Sequence, residues 1–447
     1  MMGFWRPARG LAEPALLCLL ALGGCDEPAD GRVTIDFWAM GREGEVVQEL
    51  TWEFERLHPE IEVRVQQIPW SAAHEKLLTA FAGDSMPDVF QLGNTWVPEF
   101  VALDAVAPLD ERLAAAPELA RDDFFPGIVA TNEIEGRLYG VPWYVDTRLL
   151  FYRTDMLAQA GYPEPPRSWA EWRDAMARVD QVAGPGADAI LLPSNEWAPV
   201  VILALQQGAT LLQGDAECGN FEAPAFRRAL AFYLSMFEEG FASAATSAQI
   251  ANLYQEFASG RFSMYISGPW NLGEFARRLP GALQDDWATA PMPAPDGGYP
   301  GISLAGGASL AIHRGSEHQA AAWQLIEFLA STPQQVRFHQ LSGNLPARTA
   351  AWDDPVLADD PRAQAFFEQL QHVRSTPKIP EWERIATAIT RRVDQVIRGA
   401  TTPEAALAAL DAEVDAILEK RRWLLDREQA GAAPADRDRG CPRAPTA

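Results

Sequence analysis

The sequence predicts an α/β fold built on an open, mostly parallel sheet. Three observations carry that prediction. Residues 32–38 alternate apolar and polar and are rich in β-branched and aromatic side chains, the pattern of a half-buried strand. A helical pattern, a second strand, another helix and a third strand follow before residue 103, and the order βαβαβ implies parallel strands with right-handed crossovers. The composition is that of a globular chain: 48% hydrophobic and 22% charged over 447 residues sets aside wholesale disorder. That length accommodates about two to three domains.

Each element has its own signal. Val46, Val47, Leu50, Phe54 and Leu57 repeat at helical spacing over 45–57, and His58-Pro59 stops that helix. Residues 61–65 and 88–92 read as strands, with a helix capped by Ser71 running to Phe81 between them and a short helix over 96–103. Ligands of such sheets sit beyond the carboxyl ends of the strands, so Trp38-Ala39-Met40-Gly41 and Gly93-Asn94-Thr95-Trp96 are the first site candidates. Gly136 marks a hairpin turn, and an extended stretch runs from there through Tyr152. Helices are expected over 170–179, 199–207, 225–239 and 248–259. A strand over 262–266 ends at Ser267-Gly268-Pro269-Trp270, again a terminus carrying an aromatic. The Pro/Gly-rich stretch 291–301 is a loop, 309–312 a strand and 317–330 a helix. Thr332-Pro333-Gln334-Gln335 reads as a capping box with proline at the first helical position. Pro403 opens a last amphipathic helix with Leu407, Leu410, Val414 and Ile417 on one face.

The N-terminus reads as a targeting segment. Arg6 and Arg9 precede an apolar run from Ala15 to Leu22, too short for a bilayer-spanning helix of about 20 residues. It ends Leu22-Gly23-Gly24-Cys25, which looks like a bacterial lipobox: residues 1–24 are a signal peptide, and Cys25 takes the lipid that anchors the chain to a membrane surface. Cys18 leaves with the signal, so Cys218 and Cys441 remain. The tail over 426–447 is polar and rich in Ala, Pro, Asp and Arg; it reads as disordered, which argues against a structural bridge to Cys441.

Charge and motif content narrow the function. A net charge of −24 and a pI near 4.7 argue against nucleic acid, which needs a basic footprint. The six histidines show no HExxH spacing and make no zinc cluster with the cysteines, so no metal site is expected. There is no G-x-S-x-G elbow and no P-loop, and Gly184-Pro185-Gly186 follows a helix as a surface turn. No cofactor is implied. The 61 acidic residues leave room for a glycosidase-like carboxylate pair, whose spacing a sequence does not show; by elimination binding outranks catalysis.

Several stretches then resemble a family: Ile35-Asp36-Phe37-Trp38, Phe54-Glu55-Arg56-Leu57-His58-Pro59, Pro87-Asp88-Val89-Phe90, Gly136-Arg137-Leu138-Tyr139-Gly140-Val141-Pro142, Gly306-Gly307-Ala308-Ser309-Leu310 and Leu341-Ser342-Gly343-Asn344-Leu345-Pro346. In this order, behind a lipobox, they are similar to the extracellular solute-binding proteins of ABC importers, in the sugar-binding group with the maltose- and trehalose/maltose-binding proteins. The resemblance covers residues 25–425. It implies a two-lobed periplasmic-binding-protein fold, with discontinuous lobes joined by a multi-strand hinge. Residues 30–143 and 302–346 would form the first lobe, and 147–299 and 349–425 the second. The partners implied are a small-molecule carbohydrate, an importer permease and, through the lipid, a membrane.

It also implies site residues. Trp270 matches a tryptophan that stacks on a pyranose ring, and Tyr144 and Asp146 a hinge segment that contacts ligand. Asn94 matches a hydroxyl-binding position, with loop capping as its other reading. Gly306 and Gly307 admit close backbone approach. Arg348 would fork to hydroxyls or to an acidic ligand, or else form a hinge salt bridge. Glu43 falls where relatives place an acidic or amide contact, with Glu45 as its rival, and Trp197 and Trp382 would line the cleft from the second lobe. The alternatives kept open are a polyamine, peptide or metal ligand, a glycoside-processing enzyme, and a sensor that signals to a membrane kinase.

Overall fold

The computed structural model describes residues 31–184, 186–430 and 441. The signal segment 1–24 and Cys25 lie outside the described residues. Strand β1 (Val33–Met40) buries Ile35, Phe37 and Ala39 on one face and Met40 on the other. Helix α1 (Gly41–Leu57) packs Val46, Val47, Leu50 and Phe54 on the first of those faces, while Leu57 is exposed. β2 (Ile61–Ile68), α2 (Trp70–Ala82), β3 (Val89–Gly93) and α3 (Val97–Ala102) complete the predicted order. Pro69, not Ser71, is the residue at the start of α2, and no side chain caps it.

The first sheet continues with β4 (Val141–Asp146), and the second sheet opens with β5 (Leu149–Arg153), two residues further on. β6 (Asp188–Leu191), β7 (Phe262–Ser267) and β8 (Trp287–Ala290) complete the second sheet in the order β8-β5-β7-β6. The chain then returns to the first sheet through β9 (Gly306–Ile312) and β10 (Leu345–Pro346), giving the order β10-β4-β9-β3-β1-β2. Within these two sheets β2-β1-β3 and β6-β7 are parallel, and β9, β4, β10, β5 and β8 are antiparallel additions. The "mostly parallel" expectation therefore holds for the N-terminal half of the first sheet and not for the whole. Antiparallel additions follow from a chain that leaves one sheet and re-enters it from the far side, where no βαβ crossover sets the direction.

Both sheets are covered on both faces, which is why central strands such as β3 and β7 are buried at every position, with Gln91, Ser263 and Ser267 among their apolar residues. The helices Trp169–Val182, Ala198–Gln206, Pro224–Glu238, Trp382–Ile397 and Pro403–Ile417 share a core with Leu150, Ile190, Met264 and Ile266 of the second sheet. The helix expected over 248–259 breaks into a turn of 3-10 helix at Ser247–Gln249 and a short helix at Leu253–Ala258, capped anew by Asn252. The capping box expected at Thr332 is absent: Ser331 holds the N-cap position of the helix Thr332–Ser342 without a side-chain bond.

Two expectations about the C-terminus are corrected. Residues 426–430 continue the helix Glu419–Ala430, and Cys218 and Cys441 are joined in a disulfide with Cα atoms 5.7 Å apart. Composition alone suggested a free tail. That last helix instead turns back toward the partner cysteine: Arg422 donates to the Glu217 carbonyl at 2.7 Å. No helix among the described residues is long and apolar enough to cross a membrane.

Candidate functional site

The carboxyl ends of β1, β3 and β7 face a cavity of about 520 Å³ between the two lobes. Its floor is the connection from β4 to β5, and four tryptophans stand among its walls: Trp70, Trp96, Trp197 and Trp270.

The first lobe supplies a buried carboxylate. Gly41 turns the chain at φ +51° after β1, and Glu43 enters the cavity at the start of α1. Its oxygens accept from Asn344 Nδ2 at 2.8 Å and Trp70 Nε1 at 3.3 Å. Burial pushes its pKa up, against the lowering effect of these donors and of the backbone. Glu45 points to solvent and pairs with Arg42 at 3.5 Å, so it is Glu43 that faces the cavity. The Tyr144 hydroxyl accepts from Gln91 Nε2 at 2.9 Å; burial, then the charges of Glu43 and Asp146, hold its pKa well above the usual range, so it stays neutral.

Asn94 lines the cavity, but its amide is spent internally: Nδ2 donates to Thr131 Oγ1 at 2.6 Å, and Oδ1 accepts from Ser309 Oγ at 3.2 Å. Its backbone N–H donates to the Gly307 carbonyl at 3.2 Å, which ties the β3 loop to β9. Gly307 has φ +143°, and a Cβ there would run into the Tyr144 carbonyl, so only glycine lets β9 lie this close to the hinge strand. Gly306 lies beside it on the wall.

From the second lobe, Trp270 opens the helix α4 (Trp270–Arg278) at the end of β7 and folds back over Gly268. The Arg148 guanidinium lies over its indole, 4.3 Å from the ring centroid, and Arg148 Nη1 donates to Asp146 Oδ1 at 2.5 Å. Burial raises the pKa of Asp146, while Arg148 opposes that rise. Trp197 lines the cavity from the same lobe.

Eight of the ten residues named from sequence thus share one cavity. The other two do not. Trp382 is fully buried behind Trp197, edge to face at 5.4 Å, because it begins a helix packed into the second-lobe core. Arg348 is committed elsewhere: Nε to Asp123 at 2.6 Å and Nη1 to the Glu118 carbonyl at 2.7 Å. It is the salt bridge of its second reading. Sequence reasoning missed Arg42, Trp70, Trp96, Arg148 and Asn344. Trp96 sat in a loop already marked as a candidate. Trp70 follows Ile68-Pro69, another strand terminus carrying an aromatic, and that repeated signal was sufficient to find it.

The lobes touch at the mouth of the cavity. Thr95 Oγ1 donates to Glu383 Oε1 of the helix Trp382–Ile397 at 2.6 Å. Gly273 of α4 abuts Gly343, where a side chain on either would press on the other's backbone. Cys218, Cys441 and Asp415 lie together, but the two sulfurs are already bonded to each other, which removes the thiolates a metal would need.

Known proteins agree with this geometry. The family model for bacterial extracellular solute-binding proteins matches residues 40–336. The solved structure of the sugar-binding protein MalE from Xanthomonas citri is 48% identical, with a TM-score of 0.83 over 88% of this chain and 100% of that one. The GacH receptor of Streptomyces glaucescens, solved unliganded and with acarbose, is 26% identical, with a TM-score of 0.76 over 87% and 99%. The diacetylchitobiose-binding protein DasA of Streptomyces coelicolor is 25% identical over 75% of this chain and 78% of its own. These relatives are binding proteins, not enzymes. Fold, cavity and sequence converge: the chain belongs to the family of bacterial extracellular solute-binding proteins.

Proposed function

We propose that this protein captures a neutral sugar, of disaccharide or oligosaccharide size, between its lobes and delivers it to the permease of an ABC importer. The observation that carries this is the wall of the cavity: Trp70, Trp96, Trp197 and Trp270 line it, the last beneath the Arg148 guanidinium, beside a buried carboxylate that accepts hydroxyl hydrogens. The 48% identical relative is named a sugar-binding protein, and the others bind acarbose and diacetylchitobiose, which supports the same ligand class. We assign 30–143 with 302–346 to one lobe and 147–299 with 349–425 to the other. The ligand contacts are Glu43, Tyr144, Trp197, Trp270, Gly306 and Gly307, with Asn94 holding the β3 loop behind them, and a lipid on Cys25 holds the protein at the membrane.

The test is titration of residues 26–447 with mono-, di- and trisaccharides, followed by calorimetry and thermal melting. A true ligand at a hundredfold excess over its Kd raises apparent stability by about 2.7 kcal/mol. Trp270→Ala weakens binding at least tenfold. Silence across the sugars, with a response to amines or peptides, overturns the reading.

A further inference from the structure

Arg148 occupies a place that no family expectation assigned. It stands in the two-residue connection between β4 and β5, where the chain passes from one lobe to the other. Its own carbonyl accepts from Ser303 Oγ at 2.6 Å, which fixes the backbone. Its guanidinium covers the Trp270 indole, and Nη1 is held by Asp146. Among the described residues, neither Nε nor Nη2 has a hydrogen-bond acceptor, and the residue lines the cavity.

Three physical consequences follow. The indole face where a pyranose would stack is already taken, so a ring entering here meets the guanidinium as well as the tryptophan. The donors are held in place before a ligand arrives, which spares affinity the cost of ordering a long side chain. The positive charge is offset by Asp146 and by the nearby Glu196, so the group donates hydrogen bonds without a net cationic field.

We propose that Arg148 is a ligand-contacting residue that sets specificity for neutral sugars, and that Asp146 is its positioning residue rather than a ligand contact. The guanidinium, propped on Trp270 and clamped by Asp146, turns its free N–H groups to ring and hydroxyl oxygens of the sugar. Anionic sugars are disfavoured because the lining carboxylates Glu43, Asp146 and Glu274, with Glu196 near Arg148, outnumber the lining cations Arg42 and Arg148. This rests on the sugar reading above.

The experiment is calorimetric titration of maltose, trehalose and maltotriose, with maltobionate as an anionic probe, into wild type, Arg148→Ala, Arg148→Lys, Asp146→Asn and the Asp146→Asn/Arg148→Ala double variant. Melting curves establish that each variant folds. Loss of charge-assisted hydrogen bonds predicts that Arg148→Ala weakens the preferred neutral sugar about 10- to 100-fold. Arg148→Lys restores little, since an ammonium cannot fork. Asp146→Asn weakens binding in wild type but adds less than about twofold once Arg148 is gone, the signature of one residue acting through the other. The same substitution narrows the gap between maltose and maltobionate. Wild-type affinity in Arg148→Ala overturns the proposal and leaves the sugar reading intact. An equal cost of Asp146→Asn with and without Arg148 makes Asp146 an independent contact and overturns its positioning role. If wild type takes up none of the sugars, the sugar reading falls, and this assignment falls with it.

Discussion

Glu43 keeps a carboxylate where water is scarce, and the three neutral groups around it, Asn344, Trp70 and Tyr144, bring no positive charge. Its raised pKa means that the folded chain holds this proton more tightly than the unfolded chain does. Stability therefore falls as pH rises from about 4.5 through the raised value, and Glu43→Gln makes that slope shallower. The same variant binds sugar about tenfold more weakly, since the amide accepts hydroxyl hydrogens less well than the carboxylate. Melting curves at several pH values, with titrations alongside, check both effects. Arg348 predicts the opposite pairing. Arg348→Ala leaves Asp123 with only Thr349 and Ala350 as donors and the Glu118 carbonyl without its guanidinium, and costs about 1–2 kcal/mol, while sugar affinity stays within twofold of wild type. These two residues also show what a sequence can tell at this scale. Glu43 was reached through the family resemblance, and only the structure chooses it over its rival Glu45. For Arg348 a salt bridge was one of the two readings, but its partner was not legible, because Asp123 lies 225 positions away and only the fold brings them together.

Elements were legible where one face met solvent. Helix α1 and the helix Pro403–Ile417 carry a periodic apolar stripe, and the structure buries that stripe, apart from the exposed Leu57 of α1 and the partly exposed Ile417 of the second helix. Strands β6 and β8 have four residues each, most of them buried, so neither length nor alternation marked them. The helix Trp382–Ile397 has Trp382, Ile385, Ile389 and Val393 at helical spacing, a pattern that the sequence reading passed over. The disulfide belongs to this scale as well. The loop around Cys218 is held by Asp411, which accepts from the Phe221 and Glu222 amides at 2.8 and 3.0 Å, and by Asp415, which accepts from Gly219 at 2.9 Å. Cys441→Ser therefore leaves the fold in place. It lowers unfolding stability by about 2–4 kcal/mol in non-reducing buffer and has no further effect when reductant is added. Denaturant titration with and without reductant is the check.

At the scale of the whole molecule the chain runs from the first sheet to the second at 146–149 and back before 306, so the lobes are built from interleaved segments. Nothing local in the sequence announces those crossings; the family resemblance supplied them. The Thr95–Glu383 bond spans the lobes, and burial raises the pKa of Glu383 while it is made. Separating the lobes would return Glu383 to water and to its ordinary value. The joined form thus holds the proton more tightly, and lowering the pH toward 4.5 favours closure. Stopped-flow release of bound sugar is expected to quicken about tenfold in Glu383→Ala, with the association rate unchanged. In Glu383→Gln, release loses part of its pH dependence.

The meeting of Gly273 and Gly343 works like a door stop whose thickness is zero. How far the jaws shut is set there by backbone meeting backbone, so one methyl group becomes a spacer. Gly273→Ala holds the two backbones apart by a few tenths of an ångström at the mouth. Small-angle scattering of the sugar-saturated protein would then show a larger radius of gyration than wild type, although position 273 lies outside the proposed binding residues.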